Sequence, residues 1–178
     1  RIEELAEPDI GPALSSFDVE RFTALKMCEL SPTSAAIDLG GMIDYFDLEA
    51  VTLIGLSMGG YFALRAAAFE KRVARVIASG HAYDYMKVAP APAAWLLKFF
   101  CDHFRDFTNR MSLRKIRQGG MEAWNISHLM YVLGVDEPMA GLEFAMEMNQ
   151  LNLRSDRVTQ DVLLLASRAD HFIPFRLH

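Results

Sequence analysis

Val51-Thr-Leu-Ile-Gly55-Leu-Ser57-Met-Gly59-Gly60 decides how this chain is read. Residues 51–54 are apolar or β-branched and read as a strand. They stop abruptly in Gly-x-Ser-x-Gly, and residues 61–69 follow as an alanine-rich helical stretch. Strand, tight turn and helix in that order give a Gly-x-Ser-x-Gly match its chemical meaning. The turn forces the serine into a strained conformation, and Gly55 and Gly59 are expected to remove Cβ atoms that would clash there. Ser57 then projects its hydroxyl from the carboxyl end of a strand as a candidate nucleophile. The Met58 N–H points toward the same spot as a donor to a developing oxyanion. The competing reading is a plain glycine-rich β-to-α turn, as in a dinucleotide site or an ordinary crossover.

Outward from the turn, the pattern is that of an α/β chain. Upstream, Pro8, Gly11 and Pro12 break the start, and residues 17–30 carry Phe17, Phe22, Leu25 and Cys28 at helical spacing. Ser31-Pro-Thr33 reads as a helix start, with Ile37, Leu39, Met42, Ile43 and Phe46 forming one apolar stripe. Gly40-Gly41 falls inside that stripe and reads as close helix packing. Downstream, residues 72–79 form a second strand closing at Gly80-His81. Residues 161–166 form a third, a continuous apolar run expected to be buried on both faces.

Between the second and third strands the character changes. Trp95, Phe99, Phe104, Phe107, Met111, Trp124 and Met130 make the stretch aromatic- and Met-rich at mostly helical spacing, and Gly119-Gly120 and Gly134 divide it into pieces. It reads as a helical cap over the Ser57 pocket that also needs a core of its own. The expected organisation is an N-terminal helical segment over 1–30, an α/β core over 31–85, a cap over 86–157 and a return to the core over 158–178.

Composition narrows the partners. The 178 residues are 52% hydrophobic with net charge −5, and no run of Lys or Arg stands out, which argues against nucleic acid or an anionic membrane as the main partner. No apolar stretch approaches a bilayer-spanning length. Cys28 and Cys101 fit no metal or redox spacing. The expected partner is a small, partly apolar molecule, with a homodimer admitted and a cytoplasmic location assumed. The opening at Arg1 and the stop at His178 soon after a strand are those expected of a piece of a longer protein.

A serine needs a base, and the base needs an orienting acid. Asp170 follows the third strand by a short loop, placing it on the same sheet edge as Ser57 and after it in sequence. Its other reading is a turn residue capping the next helix. His171 adjoins Asp170, His178 closes the sequence, His81 follows the second strand, and His103 and His128 fall in the cap. None reads as the base, which is expected beyond residue 178. His81, Trp124 and His128 are candidate substrate contacts.

Gly55-Leu-Ser-Met-Gly59, with Ala166-Ser-Arg-Ala-Asp170-His-Phe-Ile-Pro174, resembles the α/β-hydrolase family, whose acid loop has this arrangement of strand, turn, Asp and Pro. Residues 57–70 together with Trp124-Asn-Ile-Ser-His128 are similar to the branch of 2,6-dihydroxypseudooxynicotine hydrolases and fungal polyketide-processing hydrolases. The resemblance covers roughly residues 31–178. It implies a mostly parallel sheet with helices on both faces and a helical cap, incomplete here at both ends. It implies Ser57 as nucleophile, Met58 as oxyanion donor, Asp170 as acid, and no metal or organic cofactor. The implied reaction is cleavage of an ester, thioester or activated C–C bond. An inactive binding protein on the same fold, or an acyltransferase using the same serine, are the alternatives.

Overall fold

The computed structural model describes residues 35–178. The readings for residues 1–34, Cys28 included, lie outside the described residues. Helix α1 (Ala35–Tyr45) leads through a turn with Asp47 and Ala50 at positive φ into β1 (Val51–Leu56), α2 (Met58–Ala67) and β2 (Val73–Ser79). A 3-10 turn (Tyr85–Lys87) opens a helical insertion of α3 (Ala91–His103), α4 (Arg105–Gln118), α5 (Met121–Leu133), α6 (Pro138–Glu147) and the short α7 (Gln150–Leu153). The chain then forms β3 (Asp161–Leu165) and a closing 3-10 turn (Phe175–Leu177).

Local chemistry sets these boundaries. Prolines in the first turns of α3 and α6 occupy positions whose N–H has no intrahelical acceptor. Gly119 and Gly134 end α4 and α5 at φ 74° and 63°, conformations that a side chain would strain. Asn149 caps α7 by accepting from the Asn152 N–H at 3.0 Å.

The sheet is parallel throughout, in the order β1-β2-β3. Leu56 pairs with Ser79, and Ser79 with Leu165, so the three strands finish level. Beyond that line the backbones stay joined. The Ser57 N–H donates to the Ser79 carbonyl at 2.8 Å, and the Gly80 N–H to the Leu165 carbonyl at 2.9 Å. Parallel strands ending together gather their outgoing loops onto one edge.

Helix α2 packs on β1 and β2, with α1 behind it. Tyr61, Ala63, Leu64 and Ala67 of α2 meet Val73, Val76 and Ala78 of β2 in the core, which Phe144, Met148 and Leu153 complete from the insertion. The insertion is thus fixed to the helix that starts at the serine turn. The buried Tyr61 hydroxyl donates to the Asn149 carbonyl at 2.9 Å, and burial pushes its phenol up to about 12. Arg65 donates to the Asn152 carbonyl.

Two expectations are corrected. The third strand is not buried on both faces: all five residues of β3 are exposed, Leu163 at 51%. An apolar run records a capacity for burial, but burial needs a neighbour, and among the described elements β2 is the one that packs extensively on β3. On β1 likewise, Leu53 and Gly55 are covered while Ile54 and Leu56 are exposed. Of the Gly40-Gly41 pair only Gly40 is closely approached among the described residues: a Cβ there would lie 3.3 Å from Glu70 Oε2, and one at Gly41 would meet no described atom within 4 Å. Glu70 and Asp44 both pair with Arg72, tying α1 to the start of β2.

Candidate active site

Ser57 joins β1 directly to α2 at φ 53° and ψ −125°. L-residues rarely adopt this region, and a strained residue persists where its surroundings over-determine it. Here they do: the Ser57 N–H is bonded to Ser79, and the Ser57 carbonyl accepts from the Gly60 N–H at 2.9 Å. The residue is exposed beyond the sheet edge. Met58 is the first residue of α2, so its N–H belongs to the group of donors at a helix start that lack an intrahelical acceptor.

The glycines of the turn differ in what they do. A Cβ on Gly55 would lie 2.2 Å from the Gly59 carbonyl oxygen and 2.6 Å from Gly60 Cα, so glycine is obligatory there. Gly59 does not carry the same constraint, contrary to the sequence expectation: outside its own helix backbone, a Cβ there meets no described atom within 4 Å. Gly60 carries it instead. A Cβ there would lie 2.8 Å from His81 Cβ and 3.2 Å from His81 Cγ. The motif pattern drew attention to Gly59, while the close approach depends on where β2 ends, which no local signal encodes.

His81 is therefore a wall behind the serine turn. It is 2% exposed, and its ring centroid lies 5.9 Å from that of His178. Its Nδ1, and both ring nitrogens of His178, are buried without a hydrogen-bond partner among the described residues. Burial first, and the neighbouring His178 second, lower the His81 imidazole to about 4, so the ring is neutral at ordinary pH. Sequence reading treated the two histidines separately; the fold brings them together.

Asp170 reaches the same edge from β3. Its Oδ1 accepts from the Phe172 N–H at 2.7 Å and the Ile173 N–H at 2.9 Å. The Ile173 bond, then the Phe172 bond, hold the carboxyl below its ordinary value, with His178 and His171 adding smaller contributions. These bonds close the loop after β3; they do not cap the next helical turn, whose N-cap is Pro174 with no side-chain cap. Oδ2 accepts no hydrogen bond among the described residues, and a Cβ at Gly80 would lie 3.8 Å from it. Asp170 therefore lies against the chain leaving β2, one residue before His81.

Trp124 and His128 are brought to each other, stacked at 4.8 Å with 5° between their planes on an exposed face of α5. No hydrogen bond or ring contact joins them to Ser57, His81 or Asp170 among the described residues. His103 stacks on Phe99 at 4.7 Å in α3. Cys101 is buried and unpaired, and burial raises its thiol pKa. Among the described residues no helix is long and apolar enough to cross a membrane, and no three His, Cys, Asp or Glu side chains are grouped to hold a metal ion.

No family model matches the chain. Over 103 residues it is 34% identical to a protein of Aspergillus aculeatus named Hydrolase acrC. The match takes in 53% of this chain and 23% of that protein, so the chain spans about a quarter of its relative's length.

Proposed function

We propose that this chain carries the nucleophile and the acid of a serine hydrolase of the α/β-hydrolase type, acting on an ester, thioester or activated C–C bond of a partly apolar small molecule. The observation that carries the reading is the backbone of Ser57: a strained, exposed serine between a parallel strand and a helix, with its N–H and its carbonyl both hydrogen-bonded. Strain held in this way is characteristic of functional positions. The resemblance to a protein named as a hydrolase supports the same chemistry.

In this reading Ser57 Oγ attacks the carbonyl carbon and its proton passes to an imidazole. The Met58 N–H, at the start of α2, stabilises the oxyanion that forms, aided by the positive end of the helix dipole. Asp170 keeps Oδ1 anchored by two backbone N–H groups, which leaves Oδ2 to orient the imidazole. Held below its ordinary value, the carboxyl stays ionised throughout the neutral range. No base is assigned among His81, His103, His128, His171 and His178. The residues over 86–157 act as the cap, with His81, Trp124 and His128 as candidate substrate contacts.

The test is covalent labelling. In the complete protein, a fluorophosphonate probe should modify the Ser57 peptide, as read by mass spectrometry, and Ser57→Ala should abolish both labelling and turnover of activated esters. Labelling elsewhere, or turnover that survives Ser57→Ala, overturns the assignment.

A further inference from the structure

A groove of about 540 Å³ opens where the chain leaving β2 meets the loop that follows Asp170. Tyr83 and Met86 form one wall, Leu177 another, and Ala91 and Ala94 of α3 a third. The Tyr83 N–H donates to the Leu177 carbonyl at 3.1 Å, which joins the first two walls. The groove thus lies between the loops that leave the carboxyl ends of β2 and β3 and the first helix of the insertion. Ligands of open α/β sheets bind in such crevices.

The walls are mostly apolar, and three charged groups reach them. Two are committed to each other. Asp84 accepts from the Met86 N–H at 3.1 Å through Oδ1 and pairs with Lys87 Nζ at 3.5 Å through Oδ2. Lys87 also lies over the Tyr83 ring at 4.6 Å. The third, Arg176, is exposed and makes no ion pair or hydrogen bond among the described residues. One guanidinium is therefore uncompensated on an otherwise apolar groove. A guanidinium matches a carboxylate with two parallel N–H donors. A dianionic phosphate would exceed the single free charge and would face Asp84.

We propose that this groove binds an apolar carboxylate, with Arg176 recognising the anionic end, and that it receives the part of the substrate remote from the cleaved bond. Its role as a substrate subsite rests on the Ser57 hydrolase reading; its affinity for an apolar carboxylate does not. Arg176 is a specificity residue that takes no part in bond cleavage.

The test is titration calorimetry of the full chain with 4-phenylbutyrate, its neutral amide and phenyl phosphate. The carboxylate should bind about fivefold more tightly than the amide, the upper range for a solvent-exposed ion pair. Arg176→Gln should abolish that preference and leave the amide unchanged. Arg176 is exposed, so the variant should keep the parent's thermal unfolding profile. Equal binding of carboxylate and amide, no binding of the carboxylate, a preference that survives Arg176→Gln, or tighter binding of phenyl phosphate each overturns the proposal. A kinetic comparison separates it from the Ser57 reading. Arg176→Gln should raise KM about fivefold for the p-nitrophenyl half-ester of glutarate and leave p-nitrophenyl pentanoate unaffected. Silence toward both esters in the complete, base-containing protein, with the calorimetric preference intact, overturns the hydrolase reading and supports the carboxylate site.

Discussion

Gly55 is packed so closely on the backbone of Gly59 that a Cβ on it would lie 2.2 Å from the Gly59 carbonyl oxygen. The first glycine of the turn meets the last, and the chain can reverse from β1 into α2 at Ser57 only because Gly55 has no side chain. Among the described residues, Gly59 itself has room for one. The two glycines of a symmetric-looking motif therefore differ in their structural demand. Gly55→Ala should destabilise the protein by about 3 kcal/mol or prevent folding, as overpacking does. Gly59→Ala should stay within about 1 kcal/mol of the parent, on the stabilising side, because alanine is the better helix former. Denaturant unfolding of the two variants checks the contrast, and equal destabilisation would contradict it.

The strain at Ser57 makes a second prediction, of opposite sign for stability and activity. Glycine reaches φ 53° without the steric cost that serine meets. Ser57→Gly should therefore raise stability by about 1 kcal/mol while removing all probe labelling. Ser57→Ala should abolish labelling without that gain, since alanine retains the Cβ.

Asp170→Asn separates the acid's two duties. Asparagine Oδ1 can still accept from the Phe172 and Ile173 N–H groups, so the loop should remain folded. Ester turnover should fall by about three orders of magnitude or more, as when a triad carboxylate is made neutral. The carboxyl's folded value lies below its unfolded one, so its stabilising contribution is present above about pH 4 and lost as pH falls through the folded value. Denaturant titrations at pH 3 and pH 7 should show that acid loss in the parent and not in the variant.

His81 gives a pH dependence at a higher range. Its imidazole titrates near 4 when folded, against about 6.5 when unfolded, so the unfolded chain takes up its proton first as pH falls. Stability should be insensitive to this group above pH 6.5 and decline between 6.5 and 4, by on the order of 3 kcal/mol in total. Replacing the ring by a neutral one of similar shape, His81→Phe, should flatten that part of the stability profile. An unchanged profile would show that His81 is not the group responsible.

Much of the α/β pattern was legible in the chain because it is locally encoded. Residues 51–54, 72–79 and 161–166 announced three strands, observed as Val51–Leu56, Val73–Ser79 and Asp161–Leu165. Gly119 and Gly134 announced helix ends that the positive φ values require. Burial was less legible. Residues 161–166 have the composition of a covered strand and yet are exposed, because composition specifies what a strand can bury and says nothing of which neighbour arrives. The role of Gly60 was missed for a related reason, since its constraint comes from His81, a residue 21 positions away across a helix-to-strand packing contact.

The sequence alone determined the serine turn: a strand pattern, glycine at position 55 and a helix former directly after Ser57 are short-range facts, enforced by sterics within a few residues. It also offered Asp170 as a candidate, through its place after a strand. Tertiary structure decided what surrounds them. The level ends of three parallel strands place Ser57, His81 and the Asp170 loop on one edge, and hydrogen bonds from Ser57 to Ser79 and from Gly80 to Leu165 hold them there. Which histidines meet, which glycine is pressed, and which arginine lines a groove without an ion pair among the described residues all depend on contacts between residues far apart in the chain. Sterics within a turn are written into neighbouring residues, but packing between elements exists only once the sheet has formed.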